Sequence, residues 1–321
     1  MRYRLGAKNA TCLSAGLVLG SALAAFISTP GSAHGMTAVS SDEPGEYQAA
    51  DQSPKVPASA QKTNVVYATV GGKDLVLDVY LRKKDRSGNP GFILFAGGDG
   101  SNKERMETQA GVLAAEGYTV VTPNYCIVAD QVPFPGYIHN IKAAVRFVRA
   151  HAKDYDINPQ NIFAGGTSYG GVMTSLVGTT GDRPDLEGTV GKNAGVSSKI
   201  SGAVDLFGSV YFGRVEGSTV AEVTLKRAFL SVFRCFTLED CPAADHLMPE
   251  QYISAGDPPF LIIHGTDDKN SSPLQSQKFQ KALRAAGIPA TLLLVPGFGH
   301  NPVLIKEKIS DIRSFLESLT K

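Results

Sequence analysis

The sequence predicts an α/β fold with a mostly parallel central sheet, helices on both faces and a small lid-like insertion. Three observations carry that expectation. Short, wholly apolar runs alternate with longer amphipathic ones. A glycine-rich turn, "GGTSYGG" (165–171), sits between one such run and the next amphipathic segment. One interval, 209–256, interrupts the alternation with no apolar strand of its own. Short buried strands alternating with helices imply a sheet whose two faces are both covered.

The elements follow in order. The first stretch has Arg2, Arg4 and Lys8, then an apolar run from Cys12 to Ile27, then small residues ending near Ala33. That is the pattern of a secretory signal over 1–33, which predicts export to a secreted or periplasmic location and no integral membrane span once it is removed. Residues 34–63 are polar and rich in Pro, Ser and Ala, which reads as a flexible arm. The catalytic domain is expected over 64–321. It opens with "VVYATV" (65–70) and "DLVLDVYLR" (74–82), separated by Gly71 and Gly72 as in an antiparallel hairpin. Six apolar runs follow, over 92–95, 118–123, 161–166, 200–208, 259–265 and 291–297. Helix-like segments cover 103–116, 139–153, 169–179, 273–286 and 302–319. The 209–256 interval is too long for a structureless connection and reads as a lid.

Composition narrows the partners. With 31 basic and 30 acidic residues the net charge is +1, and no Lys/Arg block stands out, so nucleic acid is excluded as an expected partner. Beyond the signal three cysteines remain. Cys235 and Cys241 are spaced to close a small loop, and a disulfide between them suits an exported chain. Cys126 reads as a small buried hydrophobe. No spacing of His, Cys and carboxylates resembles a metal site, and "GGTSYGG" lacks the Lys-Ser/Thr ending of a phosphate loop, so no cofactor is expected.

Gly166-Thr167-Ser168-Tyr169-Gly170 matches G-x-S-x-G between a strand and a helix. So tight a turn places Ser168 in unfavourable torsions and points the Tyr169 N–H at whatever the serine attacks. A serine hydroxyl needs a base to take its proton. Of the six histidines, His34 falls in the arm, and His139 and His151 fall on or beside a helix. His264 ends an apolar strand and reads as a buried structural residue. His300, in "VPGFGHN", follows an apolar strand and precedes the last helix, at the carboxyl edge where open parallel sheets place their sites. The base in turn needs a carboxylate to hold its tautomer. "HGTDDKNSSP" offers Asp267 and Asp268 at the same edge. Whichever is used, the chain order is Ser, Asp, His, the order found in alpha/beta-hydrolases. The loop "AGGDG" (96–100) is placed to supply a second oxyanion donor, Gly98 N–H or, as a weaker candidate, Asp99 N–H.

From about Val65 to Leu319 the chain resembles the alpha/beta-hydrolase superfamily, and within it the feruloyl-esterase-like carboxylesterases. The matching stretches are "LDVYL", "FPGYIHNIKAAVRFVRAHAKDYDINPQNIFAGGTSYGG", "PPFLIIHGTDD" and "VPGFGH". The resemblance implies Ser168 as nucleophile, Asp268 rather than Asp267 as acid, and His300 as base. It implies a serine esterase acting through an acyl-enzyme on a small-molecule or polysaccharide-linked ester. The chain departs from the family at the oxyanion loop, which usually reads His-Gly-Gly-Gly/Ala-Trp, and it has no Trp at all. "SYGG" with "HGTDD" is also similar to prolyl-oligopeptidase-type peptidases, whose large propeller has no counterpart in the short arm. A peptidase and a non-catalytic binding protein of the same fold remain the alternatives. Which ester is taken, and the oligomeric state, are not legible.

Overall fold

The computed structural model describes residues 61–98, 100–125, 135–208, 210–211, 246 and 248–320. The signal, nearly all of the arm, Asp99, the three cysteines Cys126, Cys235 and Cys241, and most of the 209–256 insertion lie outside the described residues.

Strands β1 (Lys62–Val70) and β2 (Lys73–Tyr80) form the expected antiparallel hairpin. Gly71 and Gly72 have φ of 58° and 79°, and a two-residue turn with both centres left-handed matches the twist of the strands it joins. Next come β3 (Gly91–Phe95), β4 (Thr119–Pro123), β5 (Ile162–Thr167), β6 (Ala203–Leu206), β7 (Phe260–Gly265) and β8 (Ala290–Val295). The sheet has eight strands in the order β1-β2-β4-β3-β5-β6-β7-β8. β2 runs antiparallel to β4, and every pairing from β4 through β8 is parallel.

Helices α1 (Glu107–Ala115), α2 (Gly136–Ala150), α3 (Tyr169–Thr179), α4 (Pro273–Ala285), α5 (Leu304–Glu307) and α6 (Ile309–Leu319) cover the sheet. Neighbouring strand residues point to opposite faces, and the core divides accordingly. Ile93, Phe95 and Ile262 pack with residues of α2, α3 and α4. Phe92, Leu94, Leu261 and Ile263 pack with residues of α1, α5 and α6. Burial on both sides is why β3, β5 and β7 read as unbroken apolar runs instead of alternating ones. Helix α3, whose eleven residues are all buried, carries no charge for the same reason.

The structure trims three expectations. The 103–116 segment begins as a short 3-10 helix, Lys103–Met106, before α1. The 302–319 segment breaks at Lys308, where φ is −110° and ψ is 20°, and the apolar periodicity carries no mark of that break. The 200–208 run is strand only over Ala203–Leu206, because Phe207 turns into the left-handed region with φ of 44°. No helix among the described residues is long and apolar enough to cross a membrane.

Strand register sets the site. Thr167 pairs with Leu206, Leu206 with Ile263, and Gly265 with Val295, so the carboxyl ends of β5 through β8 are level. The loops carrying Ser168, Phe207, Asp268 and His300 therefore leave the sheet from one edge.

Candidate active site

Ser168 is half-buried between β5 and α3, with φ of 55° and ψ of −120°. A non-glycine residue with φ in this range is strained, and such strain persists only where surrounding structure holds it. Here the Ser168 N–H donates to the Leu206 carbonyl at 3.0 Å, and the Ser168 carbonyl accepts from Val172 N–H at 3.2 Å. The flanking glycines explain how α3 begins so abruptly. A Cβ on Gly166 would lie 2.2 Å from the Gly170 carbonyl oxygen, and one on Gly170 would lie 2.1 Å from the Phe95 carbonyl oxygen. Neither position has room for a side chain.

Asp268 and His300 come together as the sequence order requires. His300 Nδ1 lies 2.7 Å from Asp268 Oδ2. The carboxyl group is buried, and the imidazole is 17% exposed. The other carboxylate oxygen, Oδ1, accepts from Asn270 N–H at 2.8 Å and Ser271 N–H at 2.9 Å. Burial works to raise the Asp268 carboxyl, but hydrogen bonds from His264, His300 and Ser271 N–H outweigh it and hold the group well below the ordinary carboxylate range. An ionised carboxylate only accepts, so His300 carries its proton on Nδ1 and keeps a lone pair on Nε2. Asp267 does not share this position. Its side chain is exposed and takes a hydrogen bond from Thr266 Oγ1 at 2.8 Å.

The loops bearing the acid and the histidine are stitched to each other. Thr266 N–H donates to Val295 O at 3.0 Å and Asp267 N–H to Phe298 O at 2.9 Å. That approach depends on Gly265, where a Cβ would lie 2.1 Å from the Phe298 carbonyl oxygen. Phe207 closes the gap between the serine side and the histidine side. Its ring packs edge-on against His300 with centroids 4.5 Å apart, while the residue before it holds the Ser168 N–H. Among the described residues no hydrogen bond joins Ser168 to His300; such contacts commonly tighten only when substrate is bound.

The 96–100 loop lies against the serine. A Cβ on Gly97 would be 2.9 Å from the Thr167 carbonyl oxygen and 3.2 Å from Ser168 Cβ. Gly98 has φ of 81° and Gly100 has φ of 75°. Tyr125 anchors the loop at both ends: its hydroxyl donates to the Ala96 carbonyl, and its N–H donates to Gly100 O at 2.7 Å. Tyr169 N–H belongs to the first turn of α3, where backbone donors have no intrahelical partner. The Tyr169 phenol is buried, and burial pushes its ionisation up, so it stays protonated.

Sequence reasoning passed over Phe207, Tyr125 and the Asn270 and Ser271 amides. Phe207 alone carried a signal, as the last apolar side chain of the 200–208 run at the site edge. His264 is buried as expected, but it also contacts Asp268. Among the described residues no group of three or more His, Cys, Asp or Glu is arranged to hold a metal ion.

Comparison with known proteins gives consistent results. The family model described as BD-FAE matches residues 77–283. Esterase LipC of Mycobacterium tuberculosis is 26% identical over 232 residues, 70% of this chain and 56% of LipC. LipM of the same organism, a probable carboxylic ester hydrolase, is 27% identical over 174 residues, 54% of this chain and 39% of LipM. The chain thus spans about half the length or less of these relatives. Among solved structures, a truncated carbohydrate esterase from gut microbiota superposes with a TM-score of 0.72 at 26% identity, covering 83% of this chain and 98% of that one. A bifunctional GH43-CE protein of Bacteroides eggerthii gives 0.69 at 28% identity, covering 81% and 38%.

Proposed function

The chain belongs to the BD-FAE family of feruloyl-esterase-like alpha/beta-hydrolases, and from that premise we propose that it is a serine esterase working through Ser168, His300 and Asp268. The observation that carries the reading is the 2.7 Å contact between His300 Nδ1 and the buried Asp268 carboxylate, at the sheet edge where Ser168 sits in a strained turn.

His300 Nε2 takes the proton of Ser168 as Oγ bonds to the ester carbonyl carbon. Asp268 keeps the imidazole in the tautomer this requires and offsets the charge of the imidazolium. Negative charge then grows on the carbonyl oxygen, and Tyr169 N–H and Gly98 N–H are the backbone donors assigned to meet it. His300 passes its proton to the departing alcohol oxygen. Water next attacks the acyl-serine by the same proton route in reverse, releasing the acid and restoring Ser168. The near-neutral net charge suits uncharged esters, small or attached to a polysaccharide.

Labelling with a fluorophosphonate tests the proposal. The folded protein should label covalently and Ser168→Ala should not. Folded wild-type protein that resists the reagent, or a Ser168→Ala variant that still hydrolyses p-nitrophenyl esters, would overturn it. Parallel assays on p-nitrophenyl esters and aminoacyl-naphthylamides should give turnover with the esters only.

A further inference from the structure

A second histidine reaches the same carboxylate oxygen as His300. His264, in β7, is fully buried, and no step of the reaction uses it. Its Nδ1 lies 2.7 Å from Ser276 Oγ on α4, and its Nε2 lies 2.8 Å from the Ser271 carbonyl oxygen. A carbonyl oxygen only accepts, so Nε2 carries the proton, and Nδ1 accepts from the Ser276 hydroxyl. The same Nε2–H lies 3.3 Å from Asp268 Oδ2, the atom that His300 Nδ1 approaches at 2.7 Å. Oδ2 therefore has both imidazoles beside it, His300 in hydrogen-bond contact and His264 at 3.3 Å, and Oδ1 is already taken by two backbone amides.

We propose that His264 is a positioning residue that sets the proton affinity of His300 through the shared Asp268 oxygen. The inference rests on the reading of His300 as the general base. Every donor on Oδ2 draws off negative charge that His300 would otherwise feel. With His264 in place, the carboxylate holds His300 in the right tautomer without making its imidazolium too stable to give the proton up. Without His264, the charge on Oδ2 bears on His300 alone, and His300 binds its proton more tightly. Ser276 acts at one remove: by donating to Nδ1 it polarises the ring and strengthens the Nε2–H as a donor.

Among the described residues, the other groups around the two imidazoles are engaged elsewhere or neutral. From β6, the Asp205 carboxylate is engaged by Ser175 Oγ at 2.9 Å and Gly208 N–H at 2.9 Å. The Phe207 ring lies 6.3 Å from His264 and 4.5 Å from His300, and is neutral. From the β7–α4 loop, Asp267 is exposed and bonded to Thr266. A residue that only filled space here would need no ring nitrogen, since burying one without partners is costly.

The test measures His300 ionisation directly, by NMR titration of histidine-labelled protein, with His300→Gln used to assign its signal. The acid limb of kcat/KM is measured alongside, since it reports the base of the free enzyme. His264→Phe removes the donor, His264→Gln places an amide N–H near the same point, and Ser276→Ala weakens the donor from outside. His264→Phe should raise the His300 pKa by about half to one pH unit, and Ser276→Ala should raise it less. His264→Gln should return it towards the wild-type value. Unchanged His300 titration in folded His264→Phe, or a downward shift, would overturn the proposal; if His264→Phe does not fold, absence of any rise in Ser276→Ala does so. A Ser168→Ala variant that keeps activity would instead sink the esterase mechanism, and the NMR titration would be unaffected by that outcome.

Discussion

Replacing Asp268 by Asn separates chemistry from folding, and the hydrogen-bond partners dictate the result. Two backbone amides, Asn270 N–H and Ser271 N–H, donate to Oδ1 at 2.8 and 2.9 Å. An amide at this position must keep its oxygen there, since turning its NH2 towards two N–H groups would oppose donors to donors. The NH2 then faces His300 Nδ1. To accept from it, His300 must move its proton from Nδ1 to Nε2, the atom that should receive the Ser168 proton. The base is thus held in the wrong tautomer while the site keeps its shape. A fall of about 10⁴ in kcat/KM follows, or about 5.5 kcal/mol of transition-state stabilisation. The assay is p-nitrophenyl ester hydrolysis near pH 7.5, with circular dichroism to verify folding. Asp268→Ala is the contrasting variant, because it leaves the Asn270 and Ser271 amides facing a void, at about 1–3 kcal/mol of stability for each unmet donor. A folded Asp268→Asn protein with activity within tenfold of wild type would refute the assignment of Asp268 as the acid.

Three further outcomes are expected. Gly170→Ala puts a Cβ 2.1 Å from the Phe95 carbonyl oxygen, which pushes α3 off the sheet. It should cost about 3 kcal/mol in chemical denaturation and at least about 100-fold in kcat/KM, and an unaltered denaturation midpoint would count against the packing described. Gly97→Ala, with its Cβ 3.2 Å from Ser168 Cβ, should lose a similar factor in rate with a much smaller change in stability, because it lies in a loop. Asp205 is raised by burial from the ordinary 3.8 to about 6, against the hydrogen bonds from Ser175 and Gly208. The fold thus holds the proton more tightly than the unfolded chain, and stability falls as pH climbs from about 4 to about 6. Asp205→Asn should therefore be more stable than wild type at pH 8, by up to about 3 kcal/mol, and should converge with it near pH 4; equal stability at both values would refute the argument.

The elements that position the site were legible because their signals are local. An apolar run followed by G-x-S-x-G marks a buried strand turning sharply into a helix, and the torsions of Ser168 agree with that reading. What was not legible depends on contacts between loops far apart in sequence. Asp267 and Asp268 are adjacent and chemically alike, and only the resemblance chose between them. The structure supplies a physical reason: Gly265 lets the backbone at Phe298 come close, and Asp267 N–H bonds to Phe298 O. With that bond made, Asp267 faces solvent and Asp268 turns under His300. The groups around the carboxylate come from residues 264, 270, 271 and 300, a set that no single spacing rule connects.

The 96–100 loop shows how a departure from a family motif can leave the course of the chain beside the serine in place. The usual His and Trp are missing from "AGGDG", yet the loop still lies against Ser168 because its glycines permit the approach. Gly97 has no room for a side chain beside Thr167 and Ser168, and Gly98 and Gly100 take left-handed torsions. Tyr125 then fixes both ends, binding Ala96 through its hydroxyl and Gly100 through its backbone, with its ring where a Gly100 side chain would otherwise go. Tyr125 is a strand away in sequence, on the far side of β4, so no pattern within 96–100 could reveal it. The donors proposed for this loop are backbone groups, which depend on the path of the chain and not on its side chains. In this protein that path is held by glycine at the serine and by tyrosine at the ends.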